Sequence, residues 1–306
     1  LVMIERAASG SLMNAFNYAE PGYAILLWVS GQLGFGVYGS NLVGSLIFTL
    51  GLFRYASTTQ SPWIALLVAM PMLVIVVAMS ANRQAVAIGV LLWLIAKWDT
   101  TSVVKRILGI LAAALFHVSA LFFLVFAMAD MSFRKDVKLI MTGLLVALLF
   151  IIFQWSGHLE YYDQLYIRGK TEMMESEGAL YHIFFNAGPA LLYLFLPNIQ
   201  RSRLFPNDLH RNMALLAIVL IPGALMFSTA SSRISLYLFP VSMSVLSAMP
   251  ILFLSSKEQG FLRYLLSVFL VFVLYIWIIF ANNSPAYVPY KNMLFTPHSE
   301  LQLCCR

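Results

Sequence analysis

Apolar runs of bilayer-crossing length recur along this chain, and basic residues mark the gaps between them. A helix needs about 20 predominantly apolar residues to cross the hydrocarbon core. The clear runs lie at about Ser40–Ala56, Pro62–Met79, Arg83–Lys97, Leu139–Trp155, His182–Leu196, Asn212–Phe227, Ile234–Leu254 and Phe261–Phe280. Inside a bilayer every backbone polar group must find its partner within the protein, which leaves helices or a closed barrel. Composition agrees with the helical solution. The chain is 61% hydrophobic and 10% charged, with a mean hydropathy of +0.83; soluble domains carry about 25% charged residues. The expected fold is an all-α polytopic membrane protein, a single transmembrane domain over residues 1–306. It should hold about nine or ten transmembrane or re-entrant helices.

The net charge of +6 does not point to nucleic acid, because the cations are scattered between apolar segments and form no stripe. Cys304 and Cys305 are adjacent near the C-terminus, so no framework disulfide or zinc spacing exists. They read as an incidental tail or, more weakly, as a palmitoylation site.

Residues Leu1–Asn17 are mildly amphipathic and should lie along a membrane surface. Glu20-Pro21-Gly22 breaks the pattern. Tyr23–Leu33 is apolar but too short to span, and reads as a short or re-entrant helix. The segment Lys105–Asp130 admits two readings: one straight helix, or two half-helices meeting near His117. Positive charge chooses between them. If the chain turns back at His117, then Arg54, Lys97, Lys105, Arg106, Arg134, Lys135, Lys138, Arg201, Arg203, Arg211, Lys257 and Arg263 share one side, out of 19 basic residues. A straight helix would level the two sides. The hairpin restores a cytoplasmic excess, and the run Lys105–Phe116 rises only about 18 Å as a helix.

On that topology Glu20, Arg83, His117, Arg168 and Arg233 face outward, and so does the polar segment 156–181. The cytoplasmic loops are short and basic and hold no phosphate loop. Chemistry should therefore use a substrate presented at the outer leaflet. Arg83 opens a helix beside Asn82 and Gln84; a guanidinium at a helix N-terminus suits phosphate, although an arginine at a helix end can equally snorkel to headgroups. Arg233 sits in Ser228-Thr-Ala-Ser-Ser-Arg-Ile-Ser235, read as a hydroxyl-rich turn that brings an anion close. His117 is a candidate general base, or a buried histidine satisfied by a neighbouring acceptor. Glu20 is a candidate functional carboxylate, or a plain helix-terminus residue. Tyr166 and Arg168 belong to an aromatic, charged segment suited to sugar rings, though tyrosines also form the ordinary interfacial belt. No Asp-x-Asp motif is present, and no catalytic metal is expected.

Four short motifs in order, Glu20-Pro21-Gly22, Arg83-Gln84-Ala85-Val86-Ala87, Phe116-His117-Val118-Ser119-Ala120 and Ser232-Arg233-Ile234-Ser235-Leu236-Tyr237, resemble the EpsG family of Wzy-type polysaccharide polymerases. The resemblance implies a C-type glycosyltransferase-like membrane fold, with a further N-terminal helix ahead of Leu1. It implies polymerisation of undecaprenyl-pyrophosphate-linked repeat units at the outer face of the bacterial cytoplasmic membrane, with no cofactor. It implies contact with membrane lipid and with a chain-length regulator. Arg83 and Arg233 would stabilise the leaving pyrophosphate, with Arg168 as a third contact and Gln84, Tyr166 and Tyr237 near the substrate. His117 or Glu20 would orient or deprotonate the acceptor. An O-antigen ligase and a lipid-linked glycan transporter are the competing readings.

Overall fold

The computed structural model describes residues 8–131, 133–155, 179–205, 208–226, 228–252, 255–281, 284 and 287. Among these the regular structure is all helical. The helices are α1 (Leu12–Tyr18), α2 (Pro21–Gln32), α3 (Gly36–Ala56), α4 (Pro62–Ala69), α5 (Asn82–Ile95), α6 (Val103–Ala114), α7 (Leu124–Ala129), α8 (Lys135–Trp155), α9 (Ala179–Phe195), α10 (Asn198–Leu204), α11 (Asp208–Met226), α12 (Ser228–Leu236), α13 (Phe239–Ala248) and α14 (Ser256–Phe280). Two described helices, Gly36–Ala56 and Lys257–Phe280, are long and apolar enough to cross a membrane. Shorter apolar helices include Pro62–Ala78, Asn82–Ile95 and Phe239–Leu252. Their outward faces are apolar, as Leu42, Leu46, Leu50 and Phe53 on α3 and Phe261, Phe269 and Phe280 on α14 illustrate. Large exposed apolar faces of this kind suit lipid and not water.

Small residues let the central helices touch backbone to backbone. A Cβ at Gly51 would sit 2.0 Å from the Gly89 carbonyl oxygen, and one at Gly89 would sit 2.5 Å from the Phe48 Cα. Close small-residue contacts are the usual packing device where lipid removes the hydrophobic drive. The α3 face that carries Gly44, Phe48, Gly51 and Tyr55 is buried, and the opposite face is exposed.

Helix α4 continues as a π-helix over Met70–Ala78, with Pro71 near its start. A proline has no N–H for the ordinary ladder, and the widened turn absorbs that loss. The chain breaks at Ala81, so that Asn82 and Arg83 begin α5 as a fresh helix end.

The segment Lys105–Asp130 is a hairpin. Helix α6 stops at Ala114, and a 3-10 segment runs from Val118 to Phe123 into α7. The Arg106 guanidinium donates to Asp130 at 2.6 Å. A straight helix would hold those two residues about 36 Å apart. Trp98 seals the same end: its indole N–H donates to Asp130 at 2.5 Å, and Arg106 lies 4.7 Å above its ring.

Two sequence expectations are corrected. Ser228–Leu236 is a helix and not a turn, because its hydroxyls are accommodated within it: the Ser235 hydroxyl donates to the Ser232 carbonyl at 2.7 Å. The outer segment read as 156–181 ends earlier, since Ala179 already begins α9. Residues 156–178, with Tyr166 and Arg168, lie outside the described residues.

Candidate active site

Each residue of Glu20-Pro21-Gly22 has its own local task. Pro21 takes the first position of α2, where its missing N–H costs nothing. The Gly22 N–H donates to the Leu115 carbonyl at 2.7 Å, one of the orphan carbonyls at the end of α6. A Cβ at Gly22 would sit 2.9 Å from that oxygen. This contact docks the start of α2 onto the tip of the hairpin. Glu20 makes no capping bond to its own helix, so its carboxylate is free to reach across.

It reaches two partners, one with each oxygen. Oε2 accepts from Arg83 Nη1 at 2.8 Å, and Oε1 meets His117 Nδ1 at 2.8 Å. The Val118 N–H adds a longer bond to Oε1 at 3.4 Å. Burial pushes the Glu20 carboxyl up, but the His117 hydrogen bond, the His117 charge and the Arg83 charge outweigh it and hold it at about 2. An ionised carboxylate can only accept, so the His117 Nδ1 carries the proton. In the neutral ring Nε2 is then the basic nitrogen. The Glu20 and His117 side chains are 11% and 13% exposed, whereas Arg83 keeps 40% exposure and remains reachable.

A second strand of contacts joins α12 to this triad. The Ser119 and Tyr237 hydroxyls are 2.8 Å apart. Gln84, next to Arg83, donates to the Arg233 carbonyl at 3.1 Å. Tyr237 is buried. The Glu20, Arg83, Gln84, His117 and Tyr237 side chains therefore gather from the start of α2, α5, the hairpin tip and the end of α12, and Arg233 joins them through its backbone carbonyl. Among the described residues no group of three or more His, Cys, Asp or Glu could hold a metal ion.

The order and placement of these residues accompany a match of the EpsG family model over residues 2–292. The chain belongs to the EpsG family. No curated protein and no solved structure matches it. EpsG membership brings a polysaccharide polymerase-like, glycosyltransferase-like role in exopolysaccharide biosynthesis, carried by a helical membrane protein.

The EpsG chain also builds polar contacts that the sequence reading did not assign to the site. Asn82 donates to the Asn41 side chain at 2.6 Å, tying α5 to α3 behind Arg83. His182 Nδ1 and the Ser232 hydroxyl are 2.7 Å apart, directly before Arg233. Asn186 donates to the Ser235 carbonyl and accepts from Ser242, each at 2.7 Å. A signal existed for these residues. Asparagine and histidine inside apolar helices are costly unless they are bonded between helices.

Proposed function

We propose that this protein is a repeat-unit polymerase. It joins undecaprenyl-pyrophosphate-linked oligosaccharides at the outer face of the bacterial cytoplasmic membrane, within a fold of about nine or ten transmembrane or re-entrant helices of C-type glycosyltransferase character. The observation that carries the reading is the Glu20 carboxylate shared between Arg83 and His117. It sets a phosphate-binding cation beside an oriented base. The outward orientation is supported by the cytoplasmic excess of Lys and Arg that the hairpin produces.

The acceptor is a sugar hydroxyl of one lipid-linked unit. Its oxygen forms a bond to the anomeric carbon of the donor glycan as the bond from that carbon to the pyrophosphate oxygen breaks. The electron pair leaves with the lipid pyrophosphate. The hydroxyl proton passes to His117 Nε2, while Glu20 holds the ring through Nδ1. Arg83 and Arg233 neutralise the charge that grows on the leaving group, the term that donors fixed in advance supply best. Arg168, Tyr166, Gln84 and Tyr237 complete the substrate contacts, and no metal is used. Membrane lipid surrounds the fold, and a chain-length regulator is the expected protein partner.

The test is an incubation of the purified full-length protein with its lipid-linked repeat unit, read on a gel. A ladder spaced by one repeat, reduced roughly 10²–10³-fold in Arg83→Ala and Arg233→Ala, supports the polymerase. A single transfer to a different lipid acceptor identifies a ligase. Movement between leaflets without transfer identifies a transporter.

A further inference from the structure

A cavity of about 510 Å³ opens at the far end of α5 from Arg83. Helix α5 has 14 residues, so about 20 Å separates the two ends. The cavity's volume lies within the range of small-ligand sites. Arg54, at the end of α3, and Lys97, just past α5, line it. Neither side chain is engaged by a carboxylate among the described residues. Asp99 is the one carboxylate in the lining, and its charge acts on His210.

Helix C-termini normally carry negative potential. Here hydroxyls satisfy some of the carbonyls. Thr58 donates to the Tyr55 carbonyl at 2.7 Å and Thr59 to that of Ala56 at 2.8 Å. Thr100 and Thr101 both donate to the Lys97 carbonyl, at 3.1 and 2.7 Å. With those carbonyls occupied, Arg54 and Lys97 against Asp99 leave the lining with one positive charge in excess. The floor is a fixed polar cluster. The Tyr55 hydroxyl donates to the Pro240 carbonyl at 2.9 Å, and Ser244 and His210 meet its oxygen at 2.6 and 3.3 Å.

An apolar track runs along α3 toward the same end of the helix, on the face opposite the buried Tyr55. Leu42, Leu46, Leu50 and Phe53 are exposed at helical spacing along α3 and end beside Arg54. A single molecule that lies along the track and ends in an anion satisfies both features. We propose that the cavity binds a phosphate ester, carried by the headgroup of an anionic membrane lipid whose acyl chain follows the α3 stripe. Such basic pockets between membrane helices recognise headgroups through their phosphate. The site is independent of the glycosyl-transfer reading.

The test is native mass spectrometry of the full-length protein in mild detergent with phosphatidylglycerol, phosphatidylcholine or inorganic phosphate. Preferential retention of phosphatidylglycerol is expected. Each cation should contribute about fivefold in affinity, so the double variant Arg54→Gln/Lys97→Gln should lose roughly 25-fold. The charge-keeping variant Arg54→Lys/Lys97→Arg should retain binding, which separates lost charge from lost fold. Arg134→Gln, a basic site outside the lining, should bind as wild type. Retention of inorganic phosphate alone, lost in the double variant, would keep the phosphate site and overturn the lipid as its source. Equal retention of both lipids, or retention unchanged in the double variant, would overturn the proposal.

Discussion

Arg106 and Asp130 meet at 2.6 Å although 24 residues separate them in sequence. The pair fastens the two limbs of the hairpin whose tip carries His117. Its side chains are 11% and 18% exposed, so the charges are largely desolvated.

Removing one partner of such a pair leaves the other charge buried and costs about 3–5 kcal/mol. Asp130→Ala should therefore unfold well below wild type, while Arg106→Met/Asp130→Leu should recover much of the loss. Thermal unfolding of the purified variants decides. If Asp130→Ala melts with wild type, other contacts close the hairpin.

Glu20→Gln keeps the shape of the side chain and removes its charge. The ring of His117 loses its carboxylate support, and repeat-unit transfer should drop roughly 10²–10⁴-fold. Melting temperature measured alongside separates this from unfolding. Transfer at the wild-type rate would remove Glu20 from the chemistry.

The depressed Glu20 carboxyl also predicts a pH dependence. The folded value is about 2 and the ordinary value 4.5. A folded value below the unfolded one contributes stability that is complete above about pH 4.5 and is lost as pH falls toward 2. The stability difference between wild type and Glu20→Gln should thus be flat from neutral pH to about 5 and shrink below that. A difference that grew on acidification would contradict the assignment.

Two glycines provide a matched pair of controls. A Cβ at Gly51 would overlap the Gly89 carbonyl at 2.0 Å, whereas one at Gly143 meets nothing within 4 Å. Gly51→Ala should cost about 1–3 kcal/mol by forcing the helices apart. Gly143→Ala should be neutral or stabilising by up to about 1 kcal/mol, because alanine favours the helix. Paired melting curves in one detergent test both.

Some of this architecture was legible because it depends on local length and charge. The hairpin followed from a run too short to span and from the side its basic residues would otherwise occupy. Glu20-Pro21-Gly22 was legible as a break in the pattern, and α2 begins within it at Pro21. Tertiary pairing was not legible in the same way. Glu20 and His117 are 97 residues apart, and nothing in either neighbourhood names the other. Arg106 counted only as a topology marker, yet it bonds to Asp130. The serines before Arg233 suggested a turn because hydroxyls compete with helix backbone in isolation; packing against α9 and α11 overrides that preference.

The shared carboxylate has a consequence for selectivity. Glu20 gives Arg83 a counter-ion before any ligand arrives. A visiting anion gains only the excess of its own attraction over that of the resident. A singly charged headgroup has little excess to offer, while a diphosphate brings more charge and several acceptor oxygens. On the proposed reading of Arg83, Glu20 acts as a built-in competitor, a threshold that weak anions fail to pass.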